Sequence, residues 1–252
     1  MTLRLKPVST ASHKGTRSYQ EDRLFTATYE QGTLLAVFDG HGGAEVSQFA
    51  FEEFPGIFAD EITEPKAKPR TALKKAVRRL AVEVEHWAPG STMSLAFVPT
   101  KGRFVYCAIL GDSPIIIKDS KGAINISPDH NVRTNMEEKR AAEARGGFVI
   151  RGYLYRSYDG PGLQMARALG DSYLRKVISY KPDIYSVRVN KDSFIVVATD
   201  GAFDPGHYNF EKEAEAVVKL VEEGAEAQTI VDRAVAVPTG DNVTAMVARF
   251  EE

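Results

Sequence analysis

The sequence has no long apolar run, one cysteine and almost no net charge. Its 252 residues include 32 Lys plus Arg and 34 Asp plus Glu, so the formal net charge is −2. This balance excludes the basic surface that is typical of nucleic-acid binding or of attraction to anionic membranes. The longest apolar run, from Phe104 to Leu110, is far shorter than a membrane span. We therefore expect no nucleic-acid partner and no membrane attachment.

The single cysteine, Cys107, allows no disulfide within the chain and favours a reducing compartment. The first ten residues, MTLRLKPVST, contain no apolar segment typical of a secretory signal. Together these features predict a cytoplasmic protein. Because Cys107 lies in the apolar run FVYCAIL, we expect it to be buried rather than reactive.

Strand patterns dominate the sequence. Runs rich in β-branched and aromatic residues, bounded by Gly, Asp, Pro or Asn, recur along the whole chain. They cover residues 23–29, 33–38, 92–98, 103–110, 114–118, 183–189, 193–199 and 243–250. Several, such as LLAVF and FIVVA, are apolar on both faces. We therefore expect the strands to be covered on both sides.

Helical periodicity occurs in fewer segments. Apolar residues recur at spacings of three and four over 73–84, 214–221 and 227–235, with weaker patterns over 132–144 and 42–58. The last of these is expected to end near Pro55. Because helices occur in pairs between groups of strands, the order favours sheets packed together with helices outside, rather than a doubly wound sheet. We predict one α+β domain over residues 1–252.

Four of the most apolar strands have an aspartate beside a glycine at one end. The pairs are Asp39-Gly40, Gly111-Asp112, Asp200-Gly201 and Gly240-Asp241. If these ends meet, the carboxylates repel one another, and their pKa values rise unless a cation neutralises them. Oxygen ligands suit Mg²⁺ or Mn²⁺, whereas one cysteine and five scattered histidines cannot form a typical zinc site. For any single pair, the alternative is turn chemistry at a strand end.

Residues that could handle phosphate lie next to these acidic positions. His41 directly follows the first pair, although a surface-loop histidine is the alternative. Arg17 precedes Glu21 and Asp22 in GTRSYQEDRLF. A guanidinium near a metal cluster can hold a phosphate oxyanion in bidentate geometry. The alternative for Arg17 is a surface ion pair that contributes little.

These residues form part of a longer, ordered series of motifs. The series is KGTRSYQEDRL (14–24), VFDGHGGAEVSQF (37–49), GSTMSLAF (90–97), LGDS (110–113), SPDH (127–130), ARALGD (166–171), VVATDGAFD (196–204) and GDNVTAMV (240–247). Over roughly residues 9–250 the chain resembles the metal-dependent serine/threonine protein phosphatases of type 2C, the PPM family. The motif GDS alone is weak evidence for this resemblance, but VFDGHGG followed in order by ATDG and GDN is specific for the family.

The resemblance implies two antiparallel β-sheets packed as a sandwich, with helices flanking both outer faces and a metal centre at one end. The implied ligands of two Mg²⁺ or Mn²⁺ ions are Asp39, Gly40 through its carbonyl, Glu21, Asp200 and Asp241, with Asp112 and Asp200 for a third ion. Arg17 would clamp the phosphate, and His41 would protonate the leaving alcohol. Asp22 and Asn242 would orient their neighbours.

The implied activity is hydrolysis of phosphoserine and phosphothreonine in proteins by a metal-activated water, with no covalent phosphoenzyme. The expected partner is a phosphoprotein, such as a kinase or a kinase target in signalling, and a monomer is expected. One alternative is a binding module without turnover, but such members usually lose an aspartate ligand, and all four remain here. Another is an enzyme for phosphotyrosine or small phosphoesters, because fold and metals do not fix the substrate.

Two regions bear on substrate recognition. Pro114 stands where most family members carry arginine after GDS, which removes a cation and a backbone donor. Residues 146–182 match the mobile flap of the family and contain the cluster Arg151, Tyr153, Tyr155, Arg156 and Tyr158. This cluster is either a solvated loop or a substrate contact.

Overall fold

The computed structural model describes residues 3–203, 210–237 and 239–252. The strands are β1 (Arg4–Leu5), β2 (Ser9–His13), β3 (Arg23–Tyr29), β4 (Gly32–Phe38), β5 (Gly40–His41), β6 (Gly90–Ser91), β7 (Met93–Pro99), β8 (Phe104–Leu110), β9 (Ile115–Lys118), β10 (Ile124–Ile126), β11 (Phe148–Ile150), β12 (Tyr153–Tyr155), β13 (Leu169–Gly170), β14 (Asp183–Arg188), β15 (Phe194–Ala198) and β16 (Val243–Glu251). The helices are α1 (Glu45–Thr63), α2 (Pro69–Val84), α3 (Met136–Ala144), α4 (Phe210–Glu222) and α5 (Ala227–Val235).

Two antiparallel sheets form the centre of the molecule. The first sheet has the order β14-β8-β7-β4-β3. The second has the order β1-β16-β15-β9-β10, and β2 also pairs with β16. Apolar side chains from the facing sides of both sheets form one continuous core between them.

Strand β4 shows how one strand serves two layers. Leu35 and Val37 pack into the core between the sheets. Leu34, Ala36 and Phe38 point to the opposite face and pack with the buried sides of α1 and α2. In the same way, α4 and α5 cover the outer face of the second sheet. The predicted sandwich with helices on both outer faces is confirmed, and so is the two-sided apolar pattern.

Helix α1 continues through Pro55, where the sequence analysis wrongly expected it to end. A proline inside a helix costs about 3 kcal/mol. Phe54, Phe58 and Ile62 lie on both sides of it and are buried, and each contributes about 1.5–3 kcal/mol. The Tyr29 hydroxyl also donates a hydrogen bond to the Pro55 carbonyl at 2.9 Å. Burial of the apolar face therefore outweighs the proline.

Helix α3 begins at Met136, later than its predicted start. The Asn135 side chain caps it by accepting hydrogen bonds from the backbone N–H groups of Glu137 and Glu138 at 3.0 and 3.2 Å. Val132, the predicted first residue, is instead a buried loop residue. It belongs to a small apolar cluster that α3 shares with the segment 146–182.

Cys107 is completely buried in the core between the sheets. Burial raises the pKa of its thiol to about 12, so almost no thiolate is present at neutral pH. Its predicted packing role is confirmed. Within the described ranges, no helix is both long enough and apolar enough to span a bilayer.

Candidate metal centre

Carboxylates from both sheets meet at one end of the sandwich. Asp39 follows β4 and Asp112 follows β8 in the first sheet, whereas Asp200 follows β15 and Asp241 precedes β16 in the second. The charges of these aspartates, and that of Asp22, all act on the Asp39 carboxyl. The structure thus brings together the four aspartates that stand beside glycines.

Burial and crowding raise the pKa values of three of these carboxyls. For Asp39, burial and then the neighbouring carboxylates raise the pKa well above its ordinary value. Burial raises the pKa of Asp22 to about 7, although hydrogen bonds from Thr244 and Thr199 oppose the shift. Burial also raises the pKa of Asp112 to about 6. Groups with such pKa values bind either a proton or a cation near neutral pH.

The donor chemistry of this site fits hard divalent cations. Its candidate ligands are oxygen atoms, as Mg²⁺ and Mn²⁺ prefer. Within the part of the chain that the structure describes, no three acidic, histidine or cysteine side chains already lie close enough together to hold a metal ion. They are nevertheless near enough for their charges to raise the pKa of Asp39. Because such crowding is relieved by positive charge, the residues fit Mg²⁺ or Mn²⁺.

Glu21 and Gly40 are packed against each other beside Asp39. Glu21 is 5% exposed, and its Oε1 accepts a hydrogen bond from the backbone N–H of Gly43 at 2.7 Å. A Cβ at Gly40 would lie 2.7 Å from both the Glu21 carbonyl oxygen and Ser47 Oγ. Only glycine therefore allows the backbone to approach this closely.

Asn242 fastens the segment 14–21 to the second sheet. Its Nδ2 donates to the carbonyls of Lys14 and Tyr19 at 3.0 Å each. Its Oδ1 accepts a hydrogen bond from the backbone N–H of Glu21 at 2.8 Å. Because the residue is buried and its amide group bonds to three backbone groups, it fixes the position of this segment.

Arg17 is held at the edge of the cluster of carboxylates. Its Nη2 lies 3.2 Å from Asp241 Oδ1, and its Nη1 lies 3.9 Å from Glu21 Oε2. Its Nε donates to the Gly240 carbonyl. The side chain is 37% exposed, so the guanidinium is anchored on one side and open to solvent on the other.

His41 faces a carboxylate that the sequence analysis did not assign. Its Nε2 lies 2.9 Å from both oxygens of Asp171. Asp171 is completely buried and accepts a further hydrogen bond from the Tyr173 hydroxyl at 2.9 Å. Burial would lower the pKa of His41, but the charge and hydrogen bond of Asp171 outweigh it, so the pKa is raised.

Gly90 allows the close contact between His41 and Asp171. A Cβ at this position would overlap both the Asp171 carboxylate and Nε2 of His41. Asp171 closes the motif ARALGD, directly after Gly170 and the short strand β13. A glycine beside an aspartate at a strand end is therefore present here too, but β13 has only two residues and lacks the long apolar run that marks the other four strands.

The loop after β10 holds Asp112 in place. Asn131 Nδ2 donates to Asp112 Oδ2 at 2.9 Å. The buried His130 accepts a hydrogen bond on Nδ1 from the N–H of Gly111 at 3.0 Å, and its Nε2 lies 3.2 Å from Asp183 Oδ2. The position of the proposed third-ion ligand is thus set by two residues of the SPDHN segment.

The family model and two relatives that match this sequence carry the same description. The family model described as protein phosphatase 2C matches residues 6–243. The chain is 32% identical over 257 residues to probable protein phosphatase 2C 69 of Arabidopsis thaliana, covering 96% of this chain and 69% of that protein. It is 29% identical to probable protein phosphatase 2C 52 of Oryza sativa subsp. japonica, covering 96% of this chain and 50% of that protein. The chain thus spans half of one relative and about two thirds of the other.

Solved structures show the same fold. A C. elegans sex determining protein superposes with a TM-score of 0.81 at 27% identity, covering 96% of this chain and 64% of that one. A serine-threonine phosphatase 2C from Toxoplasma gondii gives 0.75 at 21% identity, covering 99% of both chains. The catalytic domain of the phosphatase PstP, solved with two manganese ions, gives 0.67 at 21% identity and covers all of both chains.

Proposed function

The chain belongs to the protein phosphatase 2C family, and we propose that it hydrolyses phosphoserine and phosphothreonine in proteins with two bound divalent cations. One observation carries this proposal. The carboxylates of Asp39, Asp200 and Asp241 interact at one end of the sandwich. Arg17 and His41 lie beside this cluster of carboxylates. The site therefore combines cation ligands, a phosphate-binding cation and a proton donor.

The cations would be held by Asp39, Asp200, Asp241, Glu21 and the carbonyl of Gly40, with Asp112 and Asp200 for a third. When bound, they supply a water that ionises near neutral pH and positive charge for the phosphate oxygens. Asp22 and Asn242 support this group from the buried side, since Asp22 accepts a hydrogen bond from Thr199 and Asn242 binds the backbone of Glu21.

Arg17 binds the phosphate of the substrate. Its Nε hydrogen bond to the Gly240 carbonyl and its ion pair with Asp241 limit its freedom before substrate arrives. The remaining N–H groups can donate to two phosphate oxygens in a planar bidentate geometry, which the ammonium group of a lysine does not offer. Because the phosphate is a dianion, this contact lowers the free energy of the bound substrate as well as that of the transition state.

His41 donates a proton to the departing serine or threonine oxygen. Asp171 accepts a hydrogen bond from Nε2, so Nε2 carries one hydrogen. The second proton of the imidazolium is on Nδ1, which has no hydrogen-bond partner among the described residues. The raised pKa increases the fraction of His41 that carries this proton, and such transfer contributes about 10²–10⁴-fold to the rate. No protein nucleophile is needed, and Cys107 takes no part.

We extend the proposal to the setting of the enzyme. Its substrate is a phosphoprotein such as a kinase or a kinase target, and it acts in signalling as a cytoplasmic monomer. The supporting features are the family and the single buried cysteine, which suits a reducing compartment.

The test is phosphate release from a phosphothreonine peptide with Mn²⁺, with Mg²⁺ and with EDTA. Asp200→Asn removes a carboxylate at the end of β15, and Asp192→Asn removes an exposed one just before the same strand. We expect metal-dependent release that Asp200→Asn abolishes and Asp192→Asn retains. No release by folded, metal-loaded protein would overturn the proposal and favour a binding role. A phosphotyrosine peptide hydrolysed faster would overturn the substrate assignment.

A further inference from the structure

A cavity of about 340 Å³ opens beside the metal centre. Two of its lining residues, Asp112 and Asp200, are candidate metal ligands. The cavity therefore adjoins the place where the phosphate would be held. The rest of its wall includes four apolar residues, namely Pro114, Ile126, Pro128 and Phe210.

Three of these four apolar residues, Ile126, Pro128 and Phe210, are exposed to solvent. Ile126 is 43% exposed and Phe210 is 39% exposed. Single exposed apolar residues are common, but here they share one concave surface, which is typical of a ligand site. Pro114, which is buried two residues after Asp112, also forms part of the wall. In this chain the wall is apolar at that point.

Two of the charged groups around the cavity make hydrogen bonds within the protein. Asp129 accepts hydrogen bonds from the backbone N–H of Asn131 at 2.8 Å and from the Thr134 hydroxyl. Arg133 Nη1 donates to Gln164 Oε1 at 3.2 Å. A polar ligand group would have to compete with these bonds. An apolar group would instead remove the exposed wall from water, which is favourable.

We infer that this cavity binds a large apolar side chain of the substrate, such as phenylalanine or leucine, located within two residues of the phosphorylated serine or threonine. The inference rests on the proposed function, because it assumes that the phosphate lies at the metal centre. Consecutive Cα atoms are 3.8 Å apart, so such a residue stays within about 8 Å of the phosphoresidue. That reach matches a cavity that shares Asp112 and Asp200 with the metal centre.

The test compares phosphothreonine peptides that carry phenylalanine, alanine or aspartate at each of the two positions before and after the phosphoresidue. The variant Ile126→Asp places a charge on the cavity wall. Its matched control is Ile124→Asp, in the same short strand β10, with 38% exposure and no part in the cavity lining. The measured quantity is the ratio of kcat/KM for the phenylalanine and alanine peptides within each protein, so differences in active fraction cancel.

We expect the unmodified protein to prefer phenylalanine by about tenfold or more at one of the four positions. The preference should vanish in Ile126→Asp and persist in Ile124→Asp. Equal turnover of all peptides by the unmodified protein, or the same preference in both variants, would overturn the inference. Hydrolysis of p-nitrophenyl phosphate with Mn²⁺ is measured in parallel. Failure to hydrolyse this substrate and every peptide refutes the phosphatase activity itself, whereas hydrolysis without preference refutes only the cavity assignment.

Discussion

Both carboxylate oxygens of Asp171 lie 2.9 Å from Nε2 of His41, although 130 residues separate the two in the chain. Tyr173 donates a third contact to the same carboxylate. Asp171 therefore fixes the orientation of the imidazole and leaves Nδ1 as the nitrogen that would deliver a proton in the proposed mechanism. We describe it as a positioning residue, since it acts through His41.

Replacing Asp171 with asparagine should lower kcat on a phosphothreonine peptide by about tenfold to a hundredfold, because the imidazole loses its orientation and its raised pKa. The loss should be smaller for p-nitrophenyl phosphate, whose leaving group needs little protonation. Steady-state kinetics on both substrates measures this difference. Tyr173→Phe, which removes one hydrogen bond from the carboxylate, should give a weaker effect of the same kind. Equal losses on the two substrates would indicate a purely structural role for Asp171.

Gly90→Ala should reduce turnover, because the added methyl group overlaps both His41 and Asp171. We expect kcat on the peptide to fall at least about tenfold, since a small displacement at the reacting groups is costly. Gly56→Ala is the matched control. Apart from its chain neighbours and the backbone of its own helix, no described atom lies within 4 Å of its added Cβ, and alanine favours a helix by about 0.5–1 kcal/mol. This control should keep full activity and raise Tm slightly. Full activity of Gly90→Ala would show that the pair is not needed in this geometry.

Arg17→Ala should chiefly raise KM for phosphopeptides. A hydrogen bond to a charged group contributes about 1.5–3 kcal/mol, which corresponds to roughly a tenfold to hundredfold change. Arg17→Lys keeps the charge but not the bidentate geometry, so it should recover only part of the loss. Initial-rate kinetics at saturating Mn²⁺ separates KM from kcat. A lower Tm with unchanged KM would mean that Arg17 serves only to tie the segment 14–21 to Gly240.

Without metal, the protein should lose stability as the pH rises from about 4 to about 7. The pKa of Asp22 is about 7 in the folded chain, against an ordinary value of 3.8. Because the folded chain binds this proton more tightly than the unfolded chain does, the stabilisation is present at low pH and is lost as the pH rises through the folded pKa.

The measurement is thermal unfolding in EDTA at pH 5 and pH 7.5. We expect Tm to fall by roughly 5 °C or more, since about 1 kcal/mol shifts Tm by 2–4 °C for a chain of this size. Mn²⁺ should restore Tm at pH 7.5. Asp22→Asn should flatten the pH dependence, and the exposed Asp192→Asn should not. A Tm that increases with pH in EDTA would contradict the raised pKa of Asp22.

The layers of the fold were predictable because burial on two sides leaves a direct trace in the sequence. Strand β4 is apolar at every position from Leu34 to Phe38, and both of its faces are covered. Strand β2, with the sequence STASH, carries no such pattern. It forms through backbone hydrogen bonds to β16, which depend on a partner more than 200 residues away. Local periodicity contains no information about that partner.

The aspartates of the site were predictable as a group, but their contacts were not. Asp-Gly pairs at strand ends identified Asp39, Asp112, Asp200 and Asp241 because the strands themselves were recognisable. The contact between His41 and Asp171 depends on how β6 and β13 pair, and each of these strands has only two residues. Such short elements have no sequence signature of their own. The roles given to these residues stay predictions until the variants are measured.

The candidate metal centre takes residues from both halves of the chain, so the protein could be cut into two fragments that each hold only part of the site. The exposed turn at Gly122 separates the site into two sets of residues, with Arg17, Glu21, Asp39 and Asp112 before it and Asp171, Asp200 and Asp241 after it. Each sheet also takes strands from both sides of that turn. Two fragments cut there would each be inert, and catalysis would return only when they reassemble. Phosphate release would then serve as a reporter of fragment complementation.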